Sequence, residues 1–377
     1  MTYEGVVSRL RRRGVARSLA RRGEIRPLLL VSGPGGDARR YRGDHRREQL
    51  ELADVRTDIC YRSDVELAPL ADRYRCIVLY RVPMDDDVRR LAGLARGRVV
   101  ADFDDLVFDR AAASSIRGLG AFSVEEHASF IAAMEGQRET LQACRLATFS
   151  TDPLAEHGAG LVERGAVVHN VVSETMVEQA NAARTSRKHD GDVIRIGYLS
   201  GTATHDSDFL EAADAVLSTL GSRPDVRFVA AGPLRLDQRF DAFGDRVERV
   251  PYQPWQRLPA LLATLDVSLA PLERDNPFTE CKSCLKFLEA SVVGVPTVAS
   301  ARSDFTRVVE HGVNGVLADS PAEWSEALAR LVAEPDLRRQ LGESARNDVL
   351  ARHTTRATAR EVSETFARLV PSLRDAG

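Results

Sequence analysis

NPFTECKSCLKFLEASVVGVPTVAS, residues 276–300, carries the reading that decides the fold. Stepping by four, three and four from Lys282 puts Lys286, Glu289 and Val293 on one helical face. Cys281, Leu285, Leu288 and Val292 fall on the neighbouring apolar face. This periodicity predicts a helix over 282–292. Gly294 stops it, and 296–300 reads as a short apolar strand. A helix running straight into a strand with no polar face is a piece of a parallel sheet covered on both sides.

The same alternation extends outward. Strands are expected over 194–199, 226–231, 246–250, 267–271 and 316–318, with helices over 208–220 and 258–264 between them and three more over 321–369. On the N-terminal side, strands are expected over 26–32, 76–81, 98–102, 146–150 and 166–169, with helices near 46–53, 85–95, 122–144 and 153–160. The polar run 174–192 is the best linker. The fold class is therefore α/β, two Rossmann-like doubly wound domains facing each other across a cleft. The expected division is a basic segment 1–25, an N-terminal domain 26–173, a linker 174–192, a C-terminal domain 193–354, and a last helix in 355–377 packing back on the N-terminal domain.

A chain of 377 residues, 44% hydrophobic and 28% charged, buries full cores without metal or disulfide staples. No apolar run approaches the roughly 20 residues of a membrane span, and no secretory signal is visible. A net charge of −3 argues against nucleic acid as the partner. Residues 9–26 differ, with eight arginines against Glu24 alone. This stretch reads as a solvated helix, with peripheral contact to an anionic membrane as the second reading. Five cysteines and no signal indicate a cytoplasmic protein, and Cys281 and Cys284 read as packed thiols on one helix.

Lysine usage points to the chemistry. Of 52 basic residues only Lys188, Lys282 and Lys286 are lysine. A compact ammonium on a flexible stem is not replaced by arginine, so Lys282 and Lys286 are the expected reactive pair. At a helix N-terminus they would meet a diphosphate together with backbone N–H groups, and Glu289 could accept from a ribose diol. The plain alternative is a salt-bridged surface stripe. Ser200, Gly201, Thr202 and His205, after the strand 194–199, form a turn suited to a phosphate, and Gly232 and Pro233 end the next strand. Gly33, Pro34, Gly35 and Gly36 mark a tight turn after the first strand without matching a phosphate-loop motif. Asp102, Asp104 and Asp105 briefly resemble the opening of haloacid dehalogenase phosphohydrolases, with Asp102 as nucleophile, but Leu106 holds the threonine place.

Taken in order, IGYLSGTATHDSDF (196–209), FVAAGP (228–233), residues 276–300 and HGVNGVLA (311–318) resemble the nucleotide-sugar domain of GT-B glycosyltransferases, family 4 in particular. VVADFDDLVFD (99–109) and ATFST (147–151) resemble the acceptor domain of a subset of that group. The resemblance implies a glycosyltransferase of hexosyl type that moves a sugar from a nucleoside-diphosphate sugar to an acceptor hydroxyl or amine. It implies retention of configuration, front-face attack with the departing phosphate taking the acceptor proton, and no metal or other cofactor. It places Glu289 on the ribose and Gly35, Gly36, Asp104 and Asp105 on the acceptor side. Cys281 stands where the family has a first glutamate, and Tyr198 where it has a phosphate-gripping arginine; His205 lies near the family's lysine position. The resemblance thus leaves Lys282 and Lys286 to supply the charge. A pseudo-glycosyltransferase that binds nucleotide sugar without transfer, favoured by Cys281, and a nucleotide-sugar epimerase are the alternative readings.

Overall fold

The computed structural model describes residues 25–33, 39–186, 193–201 and 206–376. It divides into two units. Unit 1 takes the described residues up to Ser114, then Phe122–Asn170, then those from Thr358 onward; unit 2 takes Ser115–Ala121 and Val171–Ala357.

Unit 1 holds one parallel sheet of six strands: β1 (Arg26–Ser32), β2 (Thr57–Tyr61), β3 (Tyr74–Tyr80), β4 (Val99–Phe103), β5 (Leu146–Phe149) and β6 (Arg164–Val167), in the order β2-β1-β3-β4-β5-β6. The order reverses at β1/β3, as in doubly wound folds. β2 has no counterpart in the sequence reading. Its run TDICY carries a charge at Asp58, and that charge is spent inside the sheet, on Arg26 of β1 and on Tyr74, whose hydroxyl donates to it at 2.7 Å. Arg26, the last arginine of the basic stretch, is thus a buried sheet residue and not part of a solvated helix. The remainder of that stretch lies outside the described residues.

Unit 2 repeats the plan with β7 (Ile194–Leu199), β8 (Val226–Ala231), β9 (Val247–Val250), β10 (Val267–Ala270), β11 (Thr297–Ser300) and β12 (Val316–Ala318). All pairs are parallel, in the order β12-β11-β10-β7-β8-β9. The reversal falls between β7 and β10. In open α/β sheets the crevice beyond the strand ends at such a point is where ligands bind.

Two expected boundaries move. The stretch taken as linker contains a helix, Glu174–Thr185, capped by Ser173 Oγ at the amide of Met176 (3.2 Å). Met176 and Ala180 pack in one cluster with Leu262, Phe287 and Leu288. The helix escapes sequence reading because its outward positions are polar and only a narrow apolar stripe is buried. The other change concerns the expected helix over 282–292, which begins only at Leu285 and runs Leu285–Val292. A short helix, Pro277–Glu280, precedes it, so Lys282 lies in the turn between the two. Cys281 ends the first helix and Cys284 caps the second; both are buried and neither is in a disulfide, but they do not share a helix.

The closing helix, Thr355–Leu369, sends Val362, Phe366 and Leu369, with Val370 after it, into the unit 1 core beside Leu28, Leu30, Cys76 and Val78.

Candidate functional site at the β7/β10 switch point of unit 2

β7 ends on Tyr198, Leu199 and Ser200. The Tyr198 ring is wholly buried and stacks on Phe209, with centroids 5.2 Å apart, and Phe209 stacks on Phe228. This aromatic column is a rigid floor, and it carries no charge. The charge arrives from another element. Lys286 reaches from Leu285–Val292 to donate to the carbonyl of Leu199 at 2.7 Å, and its Nζ lies 5.0 Å from the Tyr198 ring centroid. An ammonium over an aromatic face is attracted by the ring quadrupole. Among the described residues Leu199 takes one of its three donors. Burial, opposed by Glu289 and assisted by Lys282, brings the Lys286 pKa down to about 8.

Lys282 comes from the preceding turn. Its Nζ is 3.9 Å from Asp208 Oδ2 and 5.3 Å from the centre of the Phe278 ring. Asp208 sits in the first turn of the helix Asp206–Ser222, is 1% exposed, and accepts from the amide of Glu273 at 3.0 Å. Glu273 belongs to the loop after β10, so the two strands that flank the switch point are joined through Asp208. Asn276 steadies that loop. Its Oδ1 accepts from the amide of Phe278 at 3.0 Å, and its Nδ2 donates to Glu273 Oε2 and to the carbonyl of Ser115, both at 2.8 Å.

Ser200 and Gly232 also meet here. Gly232 ends β8 at φ 84°, and its amide donates to Val250 at 2.9 Å. A Cβ on Gly232 would lie 1.9 Å from the Ser200 carbonyl oxygen, so only glycine lets the ends of β7 and β8 approach this closely. Gly201 and Pro233 flank this contact. Thr202 and His205 lie outside the described residues.

The expected stripe is therefore real in composition but is built differently. Lys286 and Glu289 share a helix, Glu289 half-buried one turn along. Lys282 joins them through the turn and Asp208. The helix N-terminus is already used: the amide of Cys284 donates to Asp304 Oδ2 at 3.0 Å, and Asp304 is held by Arg307 at 2.6 Å. Cys281, at the family's first-glutamate position, is fully buried, and its thiol packs inside the unit. Asp208, Glu273 and Asn276 were missed in the sequence. The available signals were an acid opening a helix after a small-residue turn, and an Asn-Pro helix cap.

In unit 1 the acidic run at the end of β4 is bound up with arginine. Asp102 is 2% exposed, ion-paired with Arg42 (Nε to Oδ2 3.0 Å), and accepts from Thr148 Oγ1 at 2.6 Å. A carboxylate clamped in this way is a structural anchor, which removes the phosphohydrolase nucleophile reading. Asp104 accepts from Tyr80 Oη at 2.9 and 3.0 Å and from Arg81 Nε at 2.6 Å; Asp105 pairs with the same Arg81. Burial raises the Asp104 pKa, against the pull of Arg81. Behind them, Arg46 is buried with Gln49 Oε1 and the Val168 carbonyl as acceptors, and burial together with Arg42 lowers its pKa well below the arginine range. Gly33 bonds to the Tyr80 carbonyl at 2.7 Å, and a Cβ there would strike the Arg81 carbonyl oxygen at 2.1 Å. Gly35 and Gly36 lie outside the described residues. Among the described residues no three of His, Cys, Asp or Glu gather in a group able to hold a metal ion, and no helix is long and apolar enough to cross a membrane.

Residues 192–334 match the family model described as glycosyl transferases group 1. The chain is similar to D-inositol 3-phosphate glycosyltransferase of Corynebacterium jeikeium, 33% identical over 87 residues, which is 22% of this chain and 20% of that protein. The matched stretch thus spans about a fifth of that relative's length. In fold it resembles Anabaena HepE, solved with UDP and glucose, at TM-score 0.63 and 14% identity over 91% of this chain and 100% of that one. It also resembles sucrose-phosphate synthase of Thermosynechococcus elongatus, at TM-score 0.62 and 14% identity over 92% and 100%. Two parallel α/β sheets with these orders and these neighbours make the chain a GT-B fold, and its residues 192–334 match the model of the glycosyl transferases group 1.

Proposed function

We propose that this chain is a glycosyltransferase that moves a hexose from a nucleoside-diphosphate sugar to an acceptor hydroxyl or amine. The observation that carries the reading is Lys286 donating to Leu199 at the β7/β10 switch point, inside a group 1 domain, with Lys282 beside it. The leaving diphosphate gains negative charge as the sugar–phosphate bond breaks. Two ammonium groups held in a partly dry site stabilise that charge more in the transition state than in the ground state. Ser200, Gly201, Gly232 and Pro233 line the approach of the phosphates, with Thr202 and His205 assigned to the same loop. Glu289 holds the ribose. Acceptor recognition belongs to unit 1, with Asp104 and Asp105 at the end of β4 and Gly35 and Gly36 after β1.

The reaction proceeds with retention and without a metal, the departing phosphate taking the acceptor proton. HepE binds UDP and glucose, which makes a UDP-linked hexose the first donor to offer. Thermal shift with UDP, GDP and ADP tests the reading: a diphosphate at 100 times its Kd raises stability by about 2.7 kcal/mol. Donor turnover in EDTA with an anomer-resolved product tests metal independence and retention. Failure of all three diphosphates to bind rejects the assignment; transfer that needs added magnesium rejects the metal-free step.

A further inference from the structure

We propose that Asp208 is a positioning residue of this site: its carboxylate, pinned by the amide of Glu273, holds Lys282 in place and offsets the repulsion between Lys282 and Lys286. The inference rests on reading the two lysines as the phosphate-facing pair. The geometry is asymmetric in a useful way. Oδ1 is committed to Glu273 N at 3.0 Å, which fixes the plane of the carboxylate and turns Oδ2 toward Lys282 at 3.9 Å. Asp208 is 1% exposed and the Lys282 side chain 14%, so water does little to screen their interaction. Two cations converging on one ligand raise each other's energy when no ligand is bound. A buried carboxylate beside Lys282 lowers that cost.

Among the described residues the groups facing Lys286 come from four elements. Its own helix supplies Glu289, the preceding turn Lys282, β7 the Leu199 carbonyl and the Tyr198 ring, and the helix Asp206–Ser222 supplies Asp208. Asp208 and Glu289 favour the ammonium form, while burial and Lys282 oppose it. Removing the Asp208 charge leaves Glu289 alone on the favourable side.

The scarcity of lysine makes the test direct. Protein labelled with carbon-13 at lysine Cε gives three signals, from Lys188, Lys282 and Lys286. Lys286→Arg assigns one of them. In the wild type the Lys286 signal is expected to titrate with a midpoint near 8. Asp208→Asn keeps an acceptor for Glu273 N and loses the charge. It is expected to lower the Lys286 midpoint by about one unit, a tenfold change in proton affinity, and to leave Lys188 unmoved. At pH 7.5 it is expected to weaken UDP binding about threefold, with almost no loss at pH 6. An unchanged Lys286 midpoint in folded Asp208→Asn overturns the proposal, even if UDP binds normally. A shifted midpoint in a protein that binds no nucleoside diphosphate supports the positioning role and rejects the glycosyl-transfer reading instead. Should Asp208→Asn fail to fold, the double variant Asp208→Asn/Lys282→Met cancels one lost charge against another. Recovery of folding then supports a charge role, and continued failure overturns it in favour of packing.

Discussion

At Lys286 the need for charge meets the cost of burial, and the two have opposite pH signatures. With a pKa brought down to about 8, its ammonium is lost as pH rises through that value. Transfer is therefore expected to fall above pH 8, measured as kcat with saturating donor. Stability moves the other way. Unfolded, the same lysine titrates near 10.5, so between about 8 and 10.5 the unfolded chain binds more protons than the folded one. The contribution of Lys286 to stability thus rises across that window, and Lys286→Met should flatten this part of the stability–pH curve in denaturant titrations. Kinetics separates the two partners on the helix. Lys286→Ala is expected to lower kcat by a factor corresponding to about 2.7–4 kcal/mol, as for loss of an oxyanion donor. Lys286→Arg should not restore it, since the planar guanidinium does not occupy the place of a point charge above Tyr198. Glu289→Ala is expected mainly to raise KM, because a ribose contact acts in ground and transition states alike.

Elements show how far local pattern reaches. β1, β7, β8 and β12 run where their apolar runs say they do. Fully buried strands announce themselves by composition, and the parallel order follows. β2 was hidden because its charge is satisfied across the sheet by Arg26 and Tyr74, a partnership no local window contains. The site divides the same way. Lys286 and Glu289 were legible from helical spacing and lysine scarcity, whereas Asp208, Glu273 and Asn276 acquire meaning only when β7 and β10 become neighbours. Lys282 was legible as chemistry but was misplaced on the helix, since the break at 281–284 is made by tertiary bonds from Asp304 and Ser303. Gly232 offers a test at this scale. Gly232→Ala forces a positive φ and a clash with the Ser200 carbonyl, so unit 2 should lose at least about 1–3 kcal/mol. Diphosphate affinity should fall with it; a variant as stable as the wild type would show that the β7 and β8 ends have room to part.

For the whole molecule, the chain order and the unit boundaries do not coincide. Apart from the short piece Ser115–Ala121, unit 2 begins at Val171, where the amide of Val172 donates to His353 at 3.0 Å, and it includes the helix Glu174–Thr185. A fragment spanning 171–357 is therefore expected to fold and to bind the same nucleoside diphosphate as the full chain. A fragment cut to 193–350 exposes the faces that Met176 and Ala180 cover and should melt lower. Equal melting temperatures by calorimetry would mean that the helix contributes nothing to the core.

Unit 1 is closed by its own far end, since Phe366 and Val370 complete the layer over Leu28 and Cys76. A ribosome makes β1 more than 300 residues before Phe366. While unit 2 is being synthesised, the first sheet waits with an open apolar face, the kind of surface that aggregates or calls for a chaperone. The helix Thr355–Leu369 then acts as a latch on unit 1. A stop codon just before Phe366 should cost solubility at the distant β1 layer, visible as nascent-chain aggregation before any loss of nucleotide binding.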